Sequence, residues 1–224
     1  MRVWMMLWGS LCVSGIAVGG EAPCDSSGDV RFVCGPHNPE DLVSVPGTRW
    51  IISSGGENAT NFYLVDSVAR TWRALPFSAP QGQGMPQCPK APDPATLQTH
   101  GLHIRGTGRG RAVLHVVGHG AREAIEQFEV DTTGEAPTLK WTGCLLLPQG
   151  LAANSVVSLA DGTVLATVLF LPGTTFAESM SGKNTGVVLE RRPGQAAFEV
   201  MRGTELPANN GIEASPDGRD IYVV

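Results

Sequence analysis

A strand–turn–strand unit recurs four times along the 224 residues, each copy headed by a polar or charged side chain. The copies begin Glu40-Asp41-Leu42, His100-Gly101-Leu102, Asn154-Ser155-Val156 and Asn210-Gly211-Ile212, at steps of 60, 54 and 56 residues (40→100→154→210). The last three share a glycine at the matching place, Gly108, Gly162 and Gly218, and each copy feeds a β-rich segment at 48–53, 111–117, 163–170 or 220–224. A period of this size, with about four short strands per repeat, predicts an all-β chain built as a β-propeller. Function is constrained along with fold. The head of each innermost strand faces the central channel, so Glu40, Asp41, His100, Asn154 and Asn210 are expected around one axis although far apart in sequence.

The organisation follows from turn chemistry. Residues 41–54 read as a hairpin turned at Pro46-Gly47, and two further strands close a first unit near 39–77. The second and third units fall near 97–148 and 151–206, and a fourth begins at 207–224. A Pro-, Gly- and Gln-rich stretch at 76–96 predicts a long loop between blades, of a length that is usually functional or pinned by a disulfide. A Gly/Ser/Thr/Asn stretch at 173–186 is expected to bulge from the middle of the third unit. Asp217-Gly218 marks a turn leading to a strand at 220–224 with no later partner, and an unpaired apolar edge is an aggregation hazard. The expectation is therefore a six-bladed propeller of which about three and a half blades are present, as in a C-terminally truncated copy.

Composition narrows the partners. A net charge of −5 and the lack of any basic cluster interleaved with aromatics argue against nucleic acid. Helix-forming signals are weak: 121–130 holds a few helix formers, yet 125–130 reads equally well as a strand. Arg2, the apolar run at 3–18 and the small residues Ala17, Gly19 and Gly20 read as a signal peptide over 1–20. The expected location is thus periplasmic or extracellular, with an N-terminal arm at 21–38. Two other readings of the leader are a buried first element and a retained anchor, since the run is only slightly short for a span. The only membrane contact expected is through that leader if it stays uncleaved.

Cleavage removes Cys12 and leaves Cys24, Cys34, Cys88 and Cys144, an even number that suggests disulfides in an exported chain. Three connectivities exist. Cys24–Cys34 with Cys88–Cys144 is favoured because it ties the N-terminal arm and clips the long loop onto the second unit. Zinc is disfavoured by the absence of any CxxC pair. The sequon Asn58-Ala59-Thr60 matters only in a eukaryotic secretory pathway.

The strand heads carry the chemistry. A single Asn before a strand is ordinarily a turn or cap residue. Asn154 and Asn210 at matching repeat positions, with Glu40 at the equivalent place, supply one carboxylate and two amide carbonyls, a hard-oxygen set suited to calcium. His100 holds the axis-facing position of the second unit. His119 ends the next antiparallel strand and returns toward the same region, giving two imidazoles able to activate a water. His115 shares strand parity with His119 and stands as its alternative, while His37 and His103 read as ordinary surface or core histidines. Gly106-Thr107-Gly108-Arg109-Gly110 sits between strands and reads as a hairpin turn rather than a phosphate loop. No G-x-S-x-G, P-loop or HExxH is present.

At Pro39-Glu40-Asp41-Leu42, Thr99-His100-Gly101-Leu102, Val117-Gly118-His119, Ala153-Asn154-Ser155-Val156 and the run Asn209-Asn210-Gly211-Ile212-Glu213-Ala214-Ser215-Pro216-Asp217-Gly218, the chain resembles the calcium-dependent six-bladed propellers. That superfamily includes paraoxonases, gluconolactonase/senescence-marker-type proteins and strictosidine-synthase-like proteins, and the motif order most resembles the paraoxonase/arylesterase branch. The resemblance implies Glu40, Asn154 and Asn210 as ligands of a catalytic Ca2+, Asp41 contributing to a second, structural calcium, His100 and His119 as a catalytic dyad, and hydrolysis of a small-molecule lactone or aryl ester. Two departures stand out: Asn154-Ser155 replaces the Asn-Asp pair common in that branch, and the ligands supplied by later blades are missing. The alternative, from another class, is a non-catalytic calcium-stabilised propeller that binds a protein or glycan through the loops at 76–96 and 173–183.

Overall fold

The computed structural model describes residues 27–56, 61–80 and 87–224. The leader, Cys24 with its expected bridge to Cys34, and the sequon lie outside these residues. The chain divides into two compact units, Met1–Phe32 and Val33–Val224. The described part of the first is a tight turn in which Ser27 and Val30 exchange backbone hydrogen bonds across Gly28, and Arg31 Nη1 donates to Gly28 O at 2.7 Å.

The second unit is nearly all-β. Its first sheet is an antiparallel meander of β1 (Leu42–Ser44), β2 (Trp50–Ser54), β3 (Phe62–Asp66) and β4 (Thr71–Ala74). Pro46-Gly47 turns the first hairpin, and Gly47 supplies its left-handed φ of 71°. The second sheet holds the longest strands: β5 (Phe77–Ser78), β6 (Gln98–Gly108), β7 (Arg111–His119), β8 (Ala124–Asp131) and β9 (Thr138–Leu146). Its order is β5-β9-β8-β7-β6, with β5 parallel to β9 and every other pairing antiparallel. Arg109 and Gly110 turn β6 into β7, both at positive φ (55° and 70°), the backbone that a two-residue hairpin between right-twisted strands requires. Of residues 121–130, ambiguous in sequence, 124–130 enter β8 because strands β7 and β9 pair with it on both sides.

The third sheet comprises β10 (Val156–Ser158), β11 (Val164–Val168), β12 (Val187–Arg191) and β13 (Glu199–Val200), in that order. Between β11 and β12 the stretch expected as a plain bulge contains α1 (Phe176–Met180). Thr175 starts it: its hydroxyl accepts from Glu178 N, and the Glu178 carboxylate accepts from Thr175 N, a reciprocal capping box. Last come β14 (Ile212–Ala214) and β15 (Ile221–Val223), a two-stranded sheet.

The sheets pack face to face through three cores. Ile52, Phe62, Leu64, Leu114, Phe128 and Trp141 fill the space between the first and second sheets. The third sheet is apolar on both faces because its strands are continuous hydrophobic runs. Val156, Ala166 and Leu189 face the second sheet with Val117 and Ile125, whereas the alternate residues Val157, Leu165 and Val188 face Ile212. The leading strands consequently lie side by side, β1 against β6, β6 against β10 and β10 against β14. No closed barrel or ring forms among the described residues.

The 76–96 connection is held at both ends of its described part. β5 pairs with β9, and Cys88 is bonded to Cys144 of β9 with a Cα–Cα distance of 5.8 Å. Closing a loop of 56 residues contributes about 4 kcal/mol in the chain-entropy account. Among the described residues no helix is long and apolar enough to cross a membrane.

Candidate active site

The strand heads share one wall. Glu40, His100, Asn154 and Asn210 all line a cavity of about 900 Å³, joined there by His119 and Glu123. The same four residues also line an adjoining cavity of about 370 Å³ between the leading strands.

Local backbone geometry explains the convergence. A register irregularity between Thr99 and Leu102 bends β6 where it passes Asn154. Gly101 N donates to Asn154 O at 3.1 Å, and a Cβ on Gly101 would stand 2.5 Å from Ser155 Cα. Glycine is thus needed here for close approach rather than for an unusual φ. Buried Thr99 clamps the preceding segment, accepting from Gly55 N at 3.0 Å and donating to Asn61 O. Thr167 plays the corresponding part in β11: its hydroxyl accepts from Ser155 N and donates to Asn210 O, while its carbonyl accepts from Asn154 N at 2.8 Å. Asn210 N in turn donates to Val224 O at 2.6 Å. The backbone of Asn154 is therefore set by the main chain of β11, and that of Asn210 by the Thr167 hydroxyl and Val224.

Five side chains form a hydrogen-bonded chain that branches at His100. Glu123 Oε2 lies 2.6 Å from His119 Nδ1, His119 Nε2 lies 3.3 Å from His100 Nδ1, and His100 Nε2 lies 2.9 Å from Glu40 Oε1 and 3.3 Å from Asn154 Nδ2. An ionised carboxylate only accepts, so the proton of neutral His119 sits on Nδ1 beside Glu123. Its Nε2 is then the acceptor for His100 Nδ1–H. By the same rule His100 Nε2 donates to Glu40 while that carboxylate stands against it, and it would be bare, accepting from the Asn154 amide, only with Glu40 turned away.

Asp41 lines only the smaller of these cavities, and the other histidines lie away from both. Both oxygens of Asp41 accept backbone amides, Oδ1 from Leu42 N and Oδ2 from Leu102 N, each at 2.7 Å, so this carboxylate bridges β1 to β6. His115, the alternative to His119, is buried away from the cavity with Nε2 3.1 Å from Gln127 Nε2. Burial pushes its pKa down to about 3, with the charges of His103 and Arg105 acting the same way. His103 lies across from it, its Nδ1 accepting from Ser158 N at 3.2 Å, and burial lowers its pKa against a partly offsetting pull from Glu213. His37 is tied through its backbone to the Tyr63 hydroxyl.

Glu123 was not singled out from the sequence. Its only signal there is a carboxylate four residues after His119, in a stretch that read equally as helix or strand. Among the described residues no three His, Cys, Asp or Glu side chains form a metal-binding group. The oxygens at the wall are one carboxylate, Glu40, half exposed, and the amides of Asn154 and Asn210, a donor set whose hardness fits calcium better than a softer metal. No protein-family model matches the chain, and no curated protein is significantly similar to it.

Proposed function

We propose that this chain is a calcium-dependent hydrolase of lactones or aryl esters, built on six-bladed propeller architecture. The observation that carries the reading is the convergence of four repeat heads, Glu40, His100, Asn154 and Asn210, on one cavity with a hydrogen-bonded His pair. Successive face-to-face sheets with adjoining leading strands support the architecture. Glu40, Asn154 and Asn210 would hold the cation, and when bound it would polarise the carbonyl and stabilise the developing oxyanion. Asp41 locks the strands that carry Glu40 and His100.

The chain's own residues handle the proton. His100 faces the cavity with Nε2, within reach of a water standing beside Glu40 and Asn154. His119 fixes the ring through Nδ1, so the base is oriented before substrate arrives. Rigid β-strands hold these groups within the tolerance that catalysis needs. We also propose export; the Cys88–Cys144 bond is compatible with an oxidising compartment.

The test is hydrolysis of phenyl acetate and of five- and six-membered lactones by the full chain, with calcium and with chelator. Turnover abolished by chelator, and lowered about 10²–10⁴-fold by His100→Gln with an unchanged far-ultraviolet spectrum, is the expected result. Asn210→Ala should weaken calcium binding measured by calorimetry. A folded, calcium-binding chain that turns over none of these substrates would move the assignment to a binding module.

A further inference from the structure

The His pair does not end at His119. We infer that Glu123 is the positioning residue of a three-member relay, Glu123–His119–His100, which draws charge away from the cavity as water is activated. This rests on the hydrolase reading above.

The turn after β7 places Glu123 for the task. Gly120 has a φ of 111°, and a Cβ there would stand 2.1 Å from Thr96 O, so the chain can reverse tightly only with glycine. Three residues later the carbonyl of Glu123 accepts from Leu147 N at 3.1 Å, which anchors its backbone beyond the end of β9. Its carboxylate, partly exposed at the cavity wall, then meets His119 Nδ1 at 2.6 Å, the short distance expected of a charge-assisted bond.

The neighbouring charges leave this carboxylate with one role. A smaller cavity of about 230 Å³ behind His119 is lined by Lys90, Asp93, Arg122 and Glu126. Glu126 is buried and fully employed, accepting from Arg122 Nε at 2.7 Å, Arg122 Nη2 at 2.9 Å and Trp141 Nε1 at 2.7 Å. Arg122 also donates to Lys90 O, and Asp93 accepts from Ala95 N. Among the described residues of this cluster, exposed Lys90 is the one cation without a carboxylate against it. On the cavity side His119 faces His100. Glu123 is therefore the carboxylate placed to balance a charge on His119.

The proton inventory closes. A water O–H bond breaks as its oxygen adds to the acyl carbon, and the proton goes to His100 Nε2. The proton on His100 Nδ1 passes to His119 Nε2. His119 then carries protons on both nitrogens, and its positive charge sits beside the Glu123 carboxylate rather than beside the cavity. When the carbon–oxygen bond to the leaving group breaks, the two transfers reverse and the proton returns to the departing alkoxide or phenolate. Substrate and water are consumed, acid and alcohol are formed, and the relay is restored.

Two readouts on the full chain test the relay, one independent of turnover. Nitrogen-15 NMR of histidine-labelled protein reads the His119 tautomer: Nδ1–H in the wild type, shifted toward Nε2–H in Glu123→Ala. In phenyl acetate hydrolysis, the isosteric Glu123→Gln should lower kcat about ten- to a hundredfold with KM little changed. The conservative Glu123→Asp should recover part of the rate. A wild type inert on every ester and lactone defeats the hydrolase reading, while a tautomer that responds to Glu123→Ala still upholds the Glu123–His119 coupling. An active Glu123→Gln with unaltered kcat overturns the relay and leaves the hydrolase reading standing. An unaltered tautomer in Glu123→Ala overturns the relay in either case.

Discussion

The β6–β7 hairpin carries two facing pairs of histidines that share residue type and strands but differ in setting. His100 and His119 stand at the end where the hairpin opens onto the cavity, with Glu40 and Glu123 against them. His103 and His115 are cross-strand partners further along, closed in by neighbouring strands and held largely neutral by burial. Among the described residues buried His115 Nδ1 finds no hydrogen-bond partner. What separates the pairs is burial: the outer pair is partly exposed with a carboxylate hydrogen-bonded to each ring, whereas Glu213, 3.9 Å from His103 Nε2, only partly offsets the dry setting of the inner pair. The first pair is equipped to move protons and the second to fill space.

The inner pair offers the largest stability effect. Above about pH 6.5 His115 is neutral in the folded and the unfolded chain, so it costs nothing. Below that value the unfolded chain takes up a proton that the folded site refuses until about pH 3, so stability falls as pH drops through that window. The loss is on the order of 5 kcal/mol at the acid end, and His103, shifted the same way, adds to it. Urea midpoints between about pH 7.5 and about pH 4.5 read the effect, and His115→Gln should flatten the slope. Equal slopes in the two proteins would erase the contrast between the pairs.

A smaller effect separates the two ends of β6. Gly101→Ala forces a methyl group against Ser155 Cα and should cost about 1–3 kcal/mol by overpacking. It should also reduce turnover by parting His100 from Asn154. Gly106→Ala, whose added carbon would meet Pro46 Cβ at an ordinary 3.6 Å, should leave turnover unchanged. Thermal denaturation and steady-state rates on both variants check this. The smallest change lies outside the hairpin: Thr175→Ala removes the cap of α1 and should cost about 1 kcal/mol with turnover intact. A turnover defect there would tie α1 to the cavity.

The all-β character and the shared wall of Glu40, His100, Asn154 and Asn210 were legible because turn residues fix where each leading strand begins. Repeat spacing then equates those starts. The choice between His115 and His119 was not legible: both lie on one strand parity, and only distance along β7 and the irregularity at Thr99–Leu102 separate them. Asp41 was hidden for another reason. Nothing in sequence announces that both its oxygens will be taken by backbone amides of two strands. α1 did leave a trace, the Thr175-x-x-Glu178 box, but the Gly, Ser and Asn around it outweighed that signal. Glu123 needed the reversal at Gly120, a local geometry that composition does not encode.

The short strand β5 has a consequence for solubility. Among the described residues the second sheet has the longest strands, and a bare outer edge on β9 would invite another molecule to add a strand there. The segment leaving the first sheet instead runs along that edge, pairing Phe77 and Ser78 with Leu139 and Lys140 before Cys88 is fastened to Cys144. Phe77 seals the join by stacking edge-on against Phe62 and Phe128, while Lys140 keeps a charge on the exposed face. The connection between two sheets thus doubles as a guard against intermolecular strand addition, covering part of the edge that a free chain in solution would find easiest to extend.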